Sequence, residues 1–149
     1  MPNLFNPEAA TGIVMRIARL NPCTKPLWGK MNLPQMLAHC KAPLEVALGA
    51  RKLKHSFIGF LFGKMAKKQM LQDTAFKKNL PTDAGFVVKN DRDFVSEQQQ
   101  LLNLIKRFAE SDPGNIAARP HPFFGKMTAD EWGILAWKHL DHHLRQFAA

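Results

Sequence analysis

The chain has 149 residues and a net charge of +9, from 21 Lys and Arg against 12 Asp and Glu; 46% of it is hydrophobic and 22% charged. This balance excludes disordered and fibrous classes and predicts a single globular domain over residues 1–149, because a chain of this length hides roughly 70% of its unfolded surface without staples. Cys23 and Cys40 make neither a disulfide framework nor a C-x-x-C metal or redox pair, which suits a reducing cytoplasm. The start, MPNLFNPEAATG, has neither the basic nor the apolar region of a signal peptide, and no uncharged apolar run approaches the ~20 residues that span a bilayer.

In chain order, Ile13, Ile17 and Leu20 recur at helical spacing and predict a first helix over 7–20, ended by Asn21-Pro22. Asn32 is a natural N-cap, with Pro34 in the first turn and Gln35 where a capping-box side chain sits. The second helix should run over about 33–48, bent by Pro43 and stopped at Gly49. A less regular helix is expected over 57–71. Pro81, Gly85 and Asn90-Asp91 then predict a long surface loop with some extended structure over 72–94, able to cover something.

Leu101, Leu102, Ile105 and Phe108 mark a strong helix from about 93, stopped before Ser111-Asp112-Pro113-Gly114. A second loop reaches Met127. Thr128 opens the last helix, with Asp130 and Glu131 in the first turn, where carboxylates oppose the helix dipole favourably. No alternating strands compete and no repeat is visible, so the expected fold is all-α, a four-helix bundle with long loops between helices.

Between residues 51 and 78 lie Arg51, Lys52, Lys54, Lys64, Lys67, Lys68, Lys77 and Lys78, interrupted by the apolar FIGFLFG and a single acid, Asp73. The simplest reading is a solvated helix face. Charge of this kind supports non-specific, salt-sensitive association, and without a reading motif no specific nucleic-acid binding is expected.

The sequence holds no G-x-G-x-x-G, Walker A, G-x-S-x-G or H-E-x-x-H motif. What stands out is histidine. Taking 100° per residue from His139, the last helix carries Trp132, His143, Ala136, Phe147 and Leu140 at roughly 20°, 40°, 60°, 80° and 100°. His139 and His143 therefore point inward at i and i+4, a spacing at which two imidazoles reach one metal ion. His142, at about −60°, sits at the edge of that face, while Lys138 and Arg145 turn toward water. On the second helix His39, beside Met36 and Cys40, can enter the same interior and supply a third nitrogen, leaving open coordination positions of the catalytic kind. Isolated core histidines donating to carbonyls are the bland alternative.

The stretches PLWGKMNLPQMLAHC and HPFFGKMTADEWGILAWKHLDHHLRQF resemble the DinB-like, YfiT-like superfamily of metalloenzymes, more narrowly its branch catalogued as a domain of unknown function; NLPTDAGF and the helix ending at Phe108 fit that branch too. The resemblance implies a four-helix bundle holding a divalent metal, zinc or nickel, on His39, His139 and His143. It also implies an enzyme that acts on a small-molecule substrate, a low-molecular-weight thiol or water, by transfer or hydrolysis. His121, in the HPFFG segment, is either a loop anchor or a substrate contact; His142, Gln35 and Gln146 are candidates for orienting the ligands or meeting substrate, with Gln35 equally a cap. Cys40, Trp28 and Trp132 read as core. The other class of function is a non-catalytic metal-binding or stress-response protein that uses the basic surface for an acidic partner. A homodimer stays open.

Overall fold

A computed structural model describes residues 1–54 and 57–149, with 57–60 described through the backbone alone. Its α-helices are α1 Pro7–Ala18, α2 Leu33–Ala47, α3 Phe57–Met70, α4 Phe94–Ala109, α5 Pro113–Ala117 and α6 Ala129–Gln146, with a 3-10 turn at Ala84–Phe86. The described residues contain no strand, only an isolated antiparallel bridge between His121 and Gly125. The architecture is all-helical. No helix among the described residues is long and apolar enough to cross a membrane.

Polar side chains set the helix starts by satisfying backbone N–H groups that have no partner in the first turn. Asn6 accepts from the Glu8 and Ala9 amides ahead of α1, and Asp93 from the Ser96 amide ahead of α4. Both Asn32 with Gln35 and Thr128 with Glu131 form reciprocal capping boxes at α2 and α6. Pro43 lies inside α2 without interrupting it.

Helices α1, α4, α2 and α6 pack in a closed ring, α2 most extensively on α4. Ile13 and Ile17 of α1, Leu37 and Leu44 of α2, Leu101, Ile105 and Phe108 of α4, and Trp132, Leu140 and Leu144 of α6 belong to one buried hydrophobic cluster. Burying each such side chain contributes about 1.5–3 kcal/mol. The α2–α4 contact also holds a buried ion pair, Lys41 Nζ to Glu97 Oε2 at 2.6 Å.

Four observations differ from the sequence expectations. The Asp112-Pro113 turn begins the short helix α5, because Asp112 caps the Asn115 amide and Pro113 suits a first helical position. Segment 72–94 is the expected surface loop, but the regular structure it carries is the three-residue 3-10 turn at Ala84–Phe86 and no strand. Lys138 does not turn to water: it is buried and donates to the Met70 and Gln72 carbonyls, tying the end of α3 to α6. In the basic segment, Lys67 likewise pairs with Glu131 and donates to the Lys126 carbonyl instead of only meeting solvent; the first four side chains of FIGFLFG lie outside the described residues.

Candidate metal centre

Facing helices bring three imidazoles together. His39 comes from α2 and His139 and His143 from α6, with ring centroids 5.0, 4.7 and 4.7 Å apart. His39 and His143 are buried and His139 is half-buried; one nitrogen from each lies within 4.8 Å of the others. Nitrogens held about 2.0–2.1 Å from a shared ion stand roughly 3–4 Å apart, so small ring rotations close this set on one centre.

The hydrogen bonds determine which nitrogens face inward. His39 Nδ1 is 2.9 Å from the Phe86 carbonyl oxygen, which only accepts, so Nδ1 carries the proton and a neutral ring keeps a bare lone pair on Nε2. Gln146 Nε2 donates to the Trp28 carbonyl at 2.7 Å, so the Gln146 oxygen faces His143 and accepts a hydrogen bond from its Nδ1–H at 2.8 Å. His143 Nε2 is therefore also bare. His39 Nε2 and His139 Nε2 are 3.0 Å apart, a separation two lone pairs tolerate only with a proton or a cation between them. The donor set thus fits a divalent ion, and the carbonyl and amide partners have the orienting role that outer groups have at histidine metal sites.

Charge states agree with this geometry. Burial holds His39 below its ordinary value against the opposing pull of the Phe86 carbonyl. Burial, then the neighbouring His143 and His39, hold His139 well below it, and burial followed by His39 takes His143 down to about 3. Neutral imidazoles at physiological pH are the form that binds metal.

Local sequence explains the positioning. Pro43 has no N–H, so the carbonyl of His39, four residues earlier, has no helical partner there. Gly29 adopts a left-handed φ of +80°, and a Cβ there would stand 2.5 Å from Gln146 Nε2; only glycine lets the Trp28–Gly29 backbone approach the glutamine that orients His143.

The three histidines open into a cavity of about 300 Å³ that Leu44, Phe86, Leu135 and Trp132 help to line. His142 is half-buried between Trp28 and Phe76, with centroids 5.7 and 5.9 Å away, and lines both this cavity and a neighbouring one. His121 lines the cavity too, as part of the HPFFG turn. Gln35 is apart from the site: it completes the α2 capping box and donates to the Lys89 and Asn90 carbonyls. Cys40 is buried in the core. Trp132 is core as expected. Trp28 is not; half-buried, it walls the cavity and carries Lys78 Nζ 4.6 Å above its ring. Chemically, the arrangement offers nitrogen ligands at the floor of a largely apolar chamber.

No curated protein and no solved structure matches the chain. A family model described as protein of unknown function (DUF1569) matches residues 6–149, and the chain belongs to that family.

Proposed function

We propose that the chain is a divalent-metal enzyme on the four-helix bundle of the DinB-like, YfiT-like superfamily, with His39, His139 and His143 as ligands for zinc or nickel. Its substrate in this reading is a low-molecular-weight thiol, or water, activated for transfer or hydrolysis. The observation that carries the proposal is the convergence of three imidazole nitrogens, the His39 ring oriented by the Phe86 carbonyl and the His143 ring by the Gln146 amide. One ligand on α2 and two on α6, within a ring of four packed helices, support the superfamily assignment. Three nitrogen ligands leave positions for substrate and suit zinc or nickel.

When bound, such an ion supplies Lewis acidity that makes a thiol or water nucleophilic at neutral pH. The chain's own contribution is to orient the ligands, keep them unprotonated, and set them at the floor of a largely apolar cavity. Cys40 is not the nucleophile: it donates to Met36 Sδ at 3.5 Å, away from the cavity, and burial pushes its thiol pKa up.

The test is a screen of zinc- and nickel-loaded protein with several cellular thiols and a generic electrophile. Turnover above the metal-free protein is expected with at least one thiol, spared by Cys40→Ser and lost in His139→Ala. No turnover with any thiol, in protein shown to carry metal, would favour a non-catalytic metal-binding protein.

A further inference from the structure

The HPFFG segment closes on itself. His121 N donates to the Gly125 carbonyl at 2.8 Å and Gly125 N returns the bond at 2.9 Å, while the Phe123 and Phe124 amides both donate to His121 Nδ1, at 3.1 and 3.2 Å. An acceptor of two N–H groups carries no proton, so the neutral ring has its hydrogen on Nε2. Phe124 and Trp132 hold this ring in place, with centroids at 4.4 and 5.1 Å. His121 is 7% exposed, yet its Nε2 has no partner among the described residues and is not sealed within protein; the ring borders the same cavity as the histidine triad. Loop anchoring accounts for one nitrogen of His121 and, among the described residues, nothing engages the other.

We propose that His121 Nε2–H is the donor that orients the ligand in this cavity, binding an uncharged carbonyl or amide oxygen while the ligand's apolar body lies along the chamber and its reactive end meets the triad. The reactive end rests on the proposed metal reading; the donor does not. Asp83 lines the cavity as well and is near enough to pull the His121 pKa upward, although burial dominates and takes it to about 4. Its carboxylate disfavours a carboxylate ligand beside His121 and selects a neutral acceptor. Because Nδ1 is occupied by two amides, His121 serves as a donor and not as a base. Trp132 precedes His139 by seven residues, so acceptor and reactive end are separated by on the order of 10 Å along α6.

The test measures binding of phenylacetamide, phenylacetate and toluene to the full chain by tryptophan fluorescence, on zinc-loaded and on chelator-stripped protein. Wild type should prefer phenylacetamide. In His121→Asn the amide oxygen takes the place of Nδ1 and keeps the turn, but the cavity donor is gone. Phenylacetamide should then bind about tenfold more weakly, the equivalent of one neutral hydrogen bond, with toluene unchanged. Unchanged amide affinity, an equal loss for toluene, or no binding of phenylacetamide at millimolar concentration would overturn the proposal. An amide preference in protein that takes no zinc would support the donor and refute only the metal reading; zinc uptake without the preference would refute only the donor.

Discussion

Replacing Gln146 by Leu tests whether the partner of His143 governs metal affinity. The side chain is 3% exposed and makes two bonds at once, accepting from His143 Nδ1 at 2.8 Å and donating to the Trp28 carbonyl at 2.7 Å. Leu matches the shape and leaves both groups without partners, at a cost of about 1–3 kcal/mol each. Losing an orienting partner of a metal-binding histidine typically weakens affinity 10–100-fold, about 1.4–2.7 kcal/mol. Gln146→Glu separates the two effects: it keeps an acceptor for His143 but loses the donor to Trp28, so metal affinity should survive while stability falls. Competition with a chromophoric chelator gives the affinity, and thermal melts with and without metal give the stability. A Gln146→Leu protein with unchanged far-UV circular dichroism and zinc affinity within about twofold of wild type would refute the reasoning.

Acid should destabilise the metal-free protein. Burial, the larger cause in both, holds His121 at about 4 and His143 at about 3, below the ordinary value of 6.5, so the unfolded chain takes up protons more readily. Their contribution to stability is full above pH 6.5 and is lost as pH falls from there toward 4 for His121 and toward 3 for His143, the loss reaching about 2 kcal/mol per histidine near pH 5. Equal urea midpoints near pH 5 and near pH 7.5 would contradict this. Gly29→Ala forces a Cβ to 2.5 Å from Gln146 Nε2 at a φ of +80°. It should cost on the order of 1–2 kcal/mol and weaken zinc binding together, read in the same two assays.

The candidate ligands were legible in the sequence because an α-helix turns by a constant angle: His139 and His143 fall on the Trp132–Ala136–Leu140 stripe, and Gln146 lies three residues beyond His143 on the neighbouring turn. The helix starts at Asn32 and Thr128 were legible for a similar reason, being local chemistry within four residues. What escaped depends on contacts between distant segments. The acceptor for His39 is a backbone carbonyl at Phe86, which no side-chain pattern announces. A helical wheel sends Lys138 to solvent because it knows nothing of the carbonyls at the end of α3 that its ammonium caps. Trp28 reads as core by type, but its ring walls a cavity and carries Lys78, fifty residues away. Asp112-Pro113 signals a turn and a helix start equally well, and α5 follows from the second meaning.

The central claim is that His39, His139 and His143 hold a metal ion, and elemental analysis of protein purified without a histidine tag tests it most directly. The predicted result is about one divalent ion per chain in wild type and none in His139→Ala or His143→Ala, both of which should remain helical. Wild-type protein that carries no metal as purified and takes up neither zinc nor nickel when supplied, or variants with the metal content of wild type, would contradict it.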